Sequence, residues 1–349
     1  KQSGEKFWVR MPDEAHAGAI LDEKPKEPLS DQYLEVPIEY KESFERDLIS
    51  SIQNISGRPI ERTSKFVPSD SILKGIENYN NYYEGQQIFQ SQSININEVF
   101  DLNSLLNIPF IQTIRHFGRF TCHLDMALTE DSAGLALGFV PGSKTIKTQQ
   151  GEGEEEITTE APIYSLPGVL QIYPPEKSEI DIEKVQSLIL LIKQYMPELT
   201  SFRADRAYSA SLLQTMRKNG IHADLLSVDK YSEPYFETKN SFVEGRVWIP
   251  EHHVFKEELK YVYLDAAKGK IEHERGRSKD VADAVAGVIY RLSKLKRTWK
   301  ATGPPHTLQE MKELVKDKEE PQKDQSKKRP SIGKRPRSGN RKRSRSRKA

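Results

Sequence analysis

The sequence predicts an α/β fold built on one mixed sheet, antiparallel where it begins and parallel after its crossovers, with helices on both faces. Two apolar strands at 118–128 and 133–140 flank a tight polar turn, which is the pattern of a β-hairpin. A third strand at 163–173 is followed by short apolar strands that alternate with amphipathic helices. Such alternation predicts parallel strands joined by helical crossovers.

The elements after the hairpin follow from hydrophobic spacing and from end signals. The segment 181–196 carries an apolar stripe at helical spacing, and the helix 209–220 ends at a glycine. An acidic loop is predicted at 151–160. The remaining predicted elements are strands at 201–205 and 223–229 and helices at 232–246, 254–265 and 280–298.

The segments before and inside the hairpin region give weaker patterns. Residues 33–57 predict a short strand followed by a helix, and Tyr79, Tyr82 and Tyr83 are assigned to an Asn-rich loop. The string 138-GFVPGSKT-145 is one residue short of a phosphate-binding loop between its glycines, and it leads into a Gln/Glu-rich loop instead of a helix. It is therefore predicted to be a hairpin turn.

Composition and charge limit the classes of protein. Hydrophobic residues make up 36% of the 349 residues and charged residues 30%, and no apolar run approaches the roughly 20 residues of a membrane helix. The single cysteine, Cys122, excludes intrachain disulfides and Cys-based zinc clusters. Residues 327–349 hold 12 Lys or Arg and no acid, whereas the whole chain has a net charge of +2. A strongly basic tail on an acidic body favours contact with nucleic acid.

Three segments are predicted along the chain. Residues 1–115 form a connector or small subdomain, residues 116–300 form the main domain, and residues 301–349 form a charged, disordered tail with a basic end. The chain begins at Lys1 and not at Met, which predicts that it is cut from something longer.

Four carboxylates stand where local structure does not favour them. Asp125 interrupts the first strand and Asp205 ends the fourth strand, while Asp280 and Asp283 share one face of the last helix. A buried carboxylate is costly unless it is paired or bound to a metal. Each acid alone is explained by a salt bridge with a nearby base, but the sheet order brings all of them toward one place.

Oxygen ligands without a cysteine or a spaced histidine pair select Mg²⁺ or Mn²⁺. Two such ions, about 4 Å apart, can clamp a phosphodiester for in-line hydrolysis, one activating water and the other stabilising the leaving oxygen. The acids therefore predict a two-ion site. A ribonuclease-H-like fold has the predicted element order, and so do several other α/β folds.

Three segments together resemble the nuclease half of the large terminase subunit of tailed bacteriophages. They are HLDMALTEDSAGLALGF, SFRADRAYSASLLQTMRKNGIHADLLSVDK and SKDVADAVAGVIY, and YLEVPIEYKESFERD resembles the segment before that nuclease in some members. The resemblance implies a ribonuclease-H/RuvC-like fold and a divalent-metal endonuclease that cuts concatemeric viral DNA during packaging. It assigns catalytic metal ligands to Asp125, Asp205 and Asp283, with Asp280 assisting.

The resemblance also implies partners and a location. The partners are double-stranded DNA, a terminase ATPase domain or subunit, the small terminase subunit and the portal, with no membrane. The location is the host cytoplasm during phage assembly, transiently at the portal. Because the chain lacks a phosphate-binding loop, it is predicted not to hydrolyse ATP alone, with the motor removed, split off or encoded elsewhere.

Basic residues near the acids and in the tail are the predicted DNA contacts. They are Lys144, Lys147, Arg203, Arg206, Lys279, Arg341, Lys342 and Arg343.

Two other functions stay open. The first is a resolvase- or transposase-like nuclease that acts on branched DNA. The second is a non-catalytic packaging module that tethers DNA through the basic tail.

Four further residues are given structural interpretations. Asp131 is read as a turn residue of the hairpin. His123 is read as a packed strand histidine, and the adjacent His252 and His253 are read as surface caps before a helix.

Overall fold

The architecture was obtained as a computed structural model. It describes residues 5–11, 19–21, 23–25, 33–46, 48, 51–52, 55, 66–126, 132–149, 156–205, 209–228, 232–265, 270–273, 277–295 and 305–319.

The first elements form a small antiparallel sheet with its own apolar core. Its strands β1 (Lys6–Arg10), β2 (Ala19–Leu21) and β3 (Tyr33–Pro37) lie in the order β2-β1-β3. Helix α1 (Lys41–Arg46) follows, and its Phe44 packs edge-on against Phe7 at 5.4 Å between ring centroids.

Helix α2 (Ser69–Tyr83) replaces the loop that was predicted around the tyrosines, and the loop prediction is wrong. Tyr79 and Tyr83 are four residues apart, so they share the buried face of the helix. The helix ends at Glu84, whose φ of 55° is left-handed. The asparagines that suggested a loop belong to the same helix.

The remaining elements follow in chain order. They are β4 (Ser93–Ile94), α3 (Ile108–Ile114), β5 (Phe120–Met126), β6 (Ala133–Phe139), β7 (Ser143–Gln149), β8 (Glu156–Pro162), β9 (Tyr164–Ile172), α4 (Ile182–Tyr195), β10 (Leu199–Ala204), α5 (Ser209–Lys218), β11 (His222–Leu225), α6 (Glu233–Val243), β12 (Val247–Trp248), α7 (His253–Tyr261), β13 (Val262–Asp265), β14 (Lys270–His273), α8 (Asp280–Ser293) and α9 (Leu308–Glu319).

The main sheet has seven strands in the order β11-β10-β5-β6-β9-β12, with β4 also paired to β9. The pairs β5–β6 and β6–β9 are antiparallel, whereas β10 runs parallel to both β5 and β11. This is a ribonuclease-H-like order. The predicted mixed sheet, antiparallel first and parallel afterwards, is confirmed.

Helices cover both faces of the main sheet, as predicted. On β5, Cys122 and Leu124 point into a core that contains α4 and α5 residues. Because strand side chains alternate, Thr121, His123 and Asp125 point to the other face, where α8 packs. The α8 face is lined by a second apolar cluster that includes Val285 and Val288 of that helix.

Three local predictions need correction. The helix predicted at 254–265 ends at Tyr261, and Val262–Asp265 instead pairs with Lys270–His273 as a two-stranded ribbon. β7 begins at Ser143, inside the string 138–145 that was predicted to be a turn. β8 begins at Glu156, inside the acidic loop that was predicted at 151–160.

Elements outside the predicted main domain also join its core. Tyr79 and Tyr83 of α2 belong to it, and β4 extends the sheet. Helix α9 packs on α3 through its buried Leu308 and Met311, which differs from the disorder predicted from residue 301. The boundaries at residues 115 and 300 stay predictions. Within the described part of the chain, every helix is too short or too polar to cross a membrane.

Candidate active site at the carboxyl ends of β5 and β10

Asp125 and Asp205 lie at the same end of two neighbouring strands. Leu124 of β5 pairs with Ala204 of β10, so the two acids occupy the next position of each parallel strand. Leu124 and Ala204 both point into the core opposite α8. Alternation of side chains therefore directs Asp125 toward the α8 face of the sheet. Asp205, which follows the last residue of β10, points to the same face. Both side chains are partly exposed.

The first turn of α8 rests directly on the hairpin beside Asp125. Asp125 pairs with Gly134 of β6. A Cβ at position 134 would lie 2.0 Å from the backbone oxygen of Asp280. Only a residue without a side chain allows this approach, so Gly134 lets the helix carry Asp280 and Asp283 to the edge where Asp125 stands.

Asp283 is the most buried of the four acids, and both of its oxygens are hydrogen-bonded. The side chain of Asp283 accepts a hydrogen bond from the Tyr235 hydroxyl at 2.6 Å and another from the Lys279 ammonium at 2.6 Å. The residue is 2% exposed. Burial raises the pKa of the Tyr235 hydroxyl, and the charges of Asp283, Glu258 and Asp125 raise it further. Asp283 and Asp125 therefore act on the same buried hydroxyl.

Asp280 is held by two serine hydroxyls and is more exposed than Asp283. Its Oδ2 lies 2.9 Å from the Ser132 hydroxyl and 2.6 Å from the Ser278 hydroxyl. The Ser278 oxygen also accepts the Asp280 amide at 3.3 Å, so this serine contacts the first residue of α8. The Ser132 contact orients the Asp280 carboxylate toward the start of β6.

Glu258 is a fifth carboxylate at this edge, and it was not among the acids predicted from the sequence. It extends from α7 and accepts the Ala282 amide at 2.7 Å, so it caps the first turn of α8. Its pKa is raised to about 8, chiefly by burial and also by the charge of Asp280, while the Ala282 hydrogen bond opposes the shift. The available signal was its place beside Phe255 and Leu259, on the apolar face of α7.

The donors at this edge match a hard divalent cation in type, but the described side chains do not surround one. Carboxylate oxygens are the ligands that Mg²⁺ and Mn²⁺ prefer. Among the residues that the structure describes, no three His, Cys, Asp or Glu side chains are grouped to hold an ion. Asp283 instead has the Lys279 ammonium as its counter-charge.

The predicted DNA-contact residues that the structure describes do not form an exposed basic surface at this edge. Lys279 is 8% exposed and bonded to Asp283. Arg203 is buried; it donates to the backbone oxygens of Phe202 and His222 and pairs with Asp224 at 3.3 Å. Neither of these buried cations is presented to a phosphate.

Lys144 lies at the opposite end of the sheet from Asp125. It is on β7, which follows the end of β6 that pairs with the start of β5. Its ammonium donates to the Glu244 backbone oxygen at 3.1 Å. Burial lowers its pKa, and the nearby Lys74 and Arg246 lower it further.

The other predicted contacts lie beyond what the structure describes. The backbone of Lys147 is part of β7, but its side chain is outside the described residues. The residues wholly outside are Arg206, Arg341, Lys342 and Arg343, together with Asp131 of the hairpin turn.

Of the three histidines interpreted from the sequence, His123 and His252 are buried, whereas His253 is exposed. His123 packs inside the sheet, as predicted, and burial together with the charge of Arg203 lowers its pKa to about 3. His252 caps α7 by accepting the Phe255 amide at 3.3 Å, but it is fully buried and not at the surface. Its other ring nitrogen lies 3.0 Å from the Gln92 backbone oxygen. The surface assignment was wrong for His252 because Gln92, distant in sequence, covers its ring.

No family model matches the sequence, and no curated protein matches it significantly. Solved structures similar to the chain include the large terminase nuclease of thermophilic phage G20c with bound magnesium, at 12% identity and a TM-score of 0.36, over 50% of this chain and 82% of that one. The HK97 bacteriophage large terminase aligns at 14% identity and a TM-score of 0.37, over 71% and 49%. The human cytomegalovirus terminase nuclease domain, soaked with manganese, aligns at 15% identity and a TM-score of 0.31, over 51% and 85%.

Proposed function

We propose that the chain is a divalent-metal-dependent endonuclease that cleaves double-stranded DNA. The observation that carries this proposal is the meeting of Asp125 and Asp205 on adjacent parallel strands with the first turn of α8, seated on Gly134. Carboxylates from two strand ends and one helix start would supply oxygen ligands at one edge of the sheet. That donor set suits a cation that activates water against a phosphodiester.

In this proposal Asp125, Asp205 and Asp283 are the catalytic ligands, and Asp280 assists them. A divalent ion, or a pair of ions, would supply the nucleophile and stabilise the leaving oxygen. The chain's own residues hold the acids in place. Tyr235 and Lys279 fix the Asp283 carboxylate, while Glu258 anchors the turn that carries it.

The biological setting is proposed from the sequence resemblance to phage large terminases. The substrate is concatemeric viral DNA that is cut while a genome is packaged, in the host cytoplasm and transiently at a portal. The chain would work with a terminase ATPase domain or subunit and with a small terminase subunit. The order of the three motifs along the sequence supports this setting.

Cleavage of plasmid and linear duplex by the purified chain tests the proposal. The wild type is expected to cut with Mg²⁺ or Mn²⁺ and not with EDTA, and Asp125→Asn and Asp205→Asn are expected to abolish cutting while circular dichroism stays unchanged. Asp70→Asn, an exposed acid in the first turn of α2, is the matched control. Undiminished cleavage by Asp125→Asn would overturn the assignment. Faster cleavage of four-way junctions than of plain duplex would indicate a resolvase-like enzyme.

A second candidate, a non-catalytic DNA-tethering module of the packaging apparatus, is favoured by one observation. Both oxygens of Asp283 are already bonded, to Tyr235 and to Lys279, as in a structural ion pair.

Calorimetric titration with Mn²⁺ separates the two candidates. Heat of binding that disappears in Asp125→Asn supports the nuclease. Absence of binding and cleavage, with duplex affinity that is lost on removing residues 327–349, supports the tether.

A further inference from the structure

A cavity of about 640 Å³ opens at the end of the main sheet opposite the acids. Its floor is formed where β5, β10 and β11 begin: Thr121 pairs with Ser201, which pairs in turn with His222. The last turn of α8 covers it with Arg291 and Leu292. The cavity is thus separated from Asp125 by the length of β5.

The lining of this cavity is strongly cationic. Three guanidinium groups and two imidazoles face it, against one carboxylate, that of Glu198. The ammonium of Lys193 lies close enough to Glu198 for their charges to interact. Part of the negative charge of Glu198 is therefore offset by Lys193, which leaves less of it to neutralise the arginines. The basic lining residues are Arg115, His116, Arg119, His222 and Arg291.

Most of the hydrogen-bonding capacity of these guanidinium groups is unused within the described protein. A guanidinium has five N–H donors. Arg119 is exposed and makes no ion pair or hydrogen bond with any described residue. Arg291 donates once, to the Ser201 hydroxyl at 3.3 Å. Arg115 makes contacts of 3.2 and 3.4 Å, to the ring of His116 and to the backbone oxygen of Tyr195.

Two buried polar atoms among the lining residues have no hydrogen-bond partner in the described part of the chain. They are the hydroxyl oxygen of Thr121, in a residue 1% exposed, and Oε2 of Glu198. A buried polar group without a partner costs about 1–3 kcal/mol. The Thr121 hydroxyl can donate or accept a hydrogen bond, and the Glu198 carboxylate oxygen can accept one, from the sugar or base of a ligand whose phosphate contacts the arginines.

We propose that this cavity binds a phosphate-bearing ligand of nucleotide size. The arginines recognise the phosphate, because a planar guanidinium matches its oxygens in a bidentate manner. Thr121 and Glu198 supply the polar contacts away from the phosphate. The volume lies in the range of small-molecule sites, about 300–1,000 Å³. The ligand is either a free nucleotide or a nucleotide unit of a nucleic acid, and the site is independent of the acids at the other end of the sheet.

Titration of the full chain in EDTA, without divalent metal, tests the site separately from cleavage. The probes are inorganic phosphate, adenosine monophosphate and a short DNA duplex. Arg119→Gln and Arg291→Gln are each expected to weaken binding of the recognised probe about tenfold or more, the value of one lost charged hydrogen bond. Arg217→Gln removes the same charge from α5, where Arg217 pairs with Asp224 outside the cavity, and is the matched control.

The pattern of outcomes identifies the source of the phosphate. Binding of adenosine monophosphate that both cavity variants weaken indicates a free nucleotide. Binding of duplex alone, weakened by both cavity variants more than by Arg217→Gln, indicates a nucleic acid.

Thr121→Val is expected to stabilise the fold while lowering affinity for the recognised probe. A purely structural threonine would not give this combination. Absence of binding by every probe, or equal affinities for all three arginine variants, would overturn the proposal.

Discussion

The imidazole of His123 occupies the space that a side chain at Gly287 would need. A Cβ at position 287 would lie 2.4 Å from Cγ and 2.5 Å from Nδ1 of that ring. His123 is buried, and it precedes Asp125 by two residues on the same face of β5. This contact therefore determines how closely α8 approaches the strand that carries Asp125.

Gly287→Ala is expected to lower the free energy of unfolding by about 1–3 kcal/mol, because the added methyl group overpacks a rigid contact. Urea denaturation measures the change. The double variant with His123→Ala should lose less than the sum of the two single variants, since the smaller residue makes room for the methyl group. Strictly additive losses would contradict a direct conflict between these two positions.

Gly134→Ala is expected to displace the first turn of α8 and to reduce both stability and DNA cleavage. The clash involves backbone atoms of Asp280 and Val281, which cannot rotate away. Gly168→Ala on β9 is the control, because its nearest neighbours are side-chain atoms at 3.2 Å. Equal unfolding free energies and cleavage rates for these two variants would show that α8 does not depend on Gly134.

Lys279→Met is expected to destabilise the fold by about 3–5 kcal/mol, because it removes one partner from a buried ion pair. Combining it with Asp283→Asn should recover part of that loss, which chemical denaturation can measure. Lys260→Met breaks an exposed pair with Glu257 on α7 and is expected to cost less than about 1 kcal/mol. If Lys279→Met cost as little as Lys260→Met, the buried pair would not support α8.

The stability contributed by the buried histidines is expected to be lost as the pH drops from 6.5 toward 4, against an opposite contribution from Glu258, whose pKa is raised to about 8. Burial lowers the pKa of His252 from its ordinary value of 6.5 to about 4. The unfolded chain thus binds a proton in this window that the folded chain does not, so the contribution is complete above pH 6.5 and lost toward pH 4. The linked loss is about 3 kcal/mol.

His252→Asn isolates the contribution of that histidine. Asparagine can still accept the Phe255 amide, but it does not titrate. The variant should show a shallower dependence of unfolding free energy on pH between 6.5 and 4, with His123 retained as the other titrating group. Parallel curves for wild type and variant would contradict the assignment.

The sequence by itself determined the sheet and the location of two acids. Apolar alternation marks β5 and β6, and helical spacing marks α4, because both patterns depend only on near neighbours along the chain. Asp125 and Asp205 were recognisable since each one breaks the pattern of its own strand. The parallel pairing of those strands then follows from the crossover between them.

Only the tertiary structure decided what surrounds the acids. The Tyr235 contact with Asp283 spans 48 residues, and the Glu258 contact with Ala282 spans 24. Local spacing carries no record of such contacts, so Lys279 resembled a surface base until its burial showed it to be the counter-charge of Asp283. Burial depends on which elements meet across the fold, and that is a property of the packed chain.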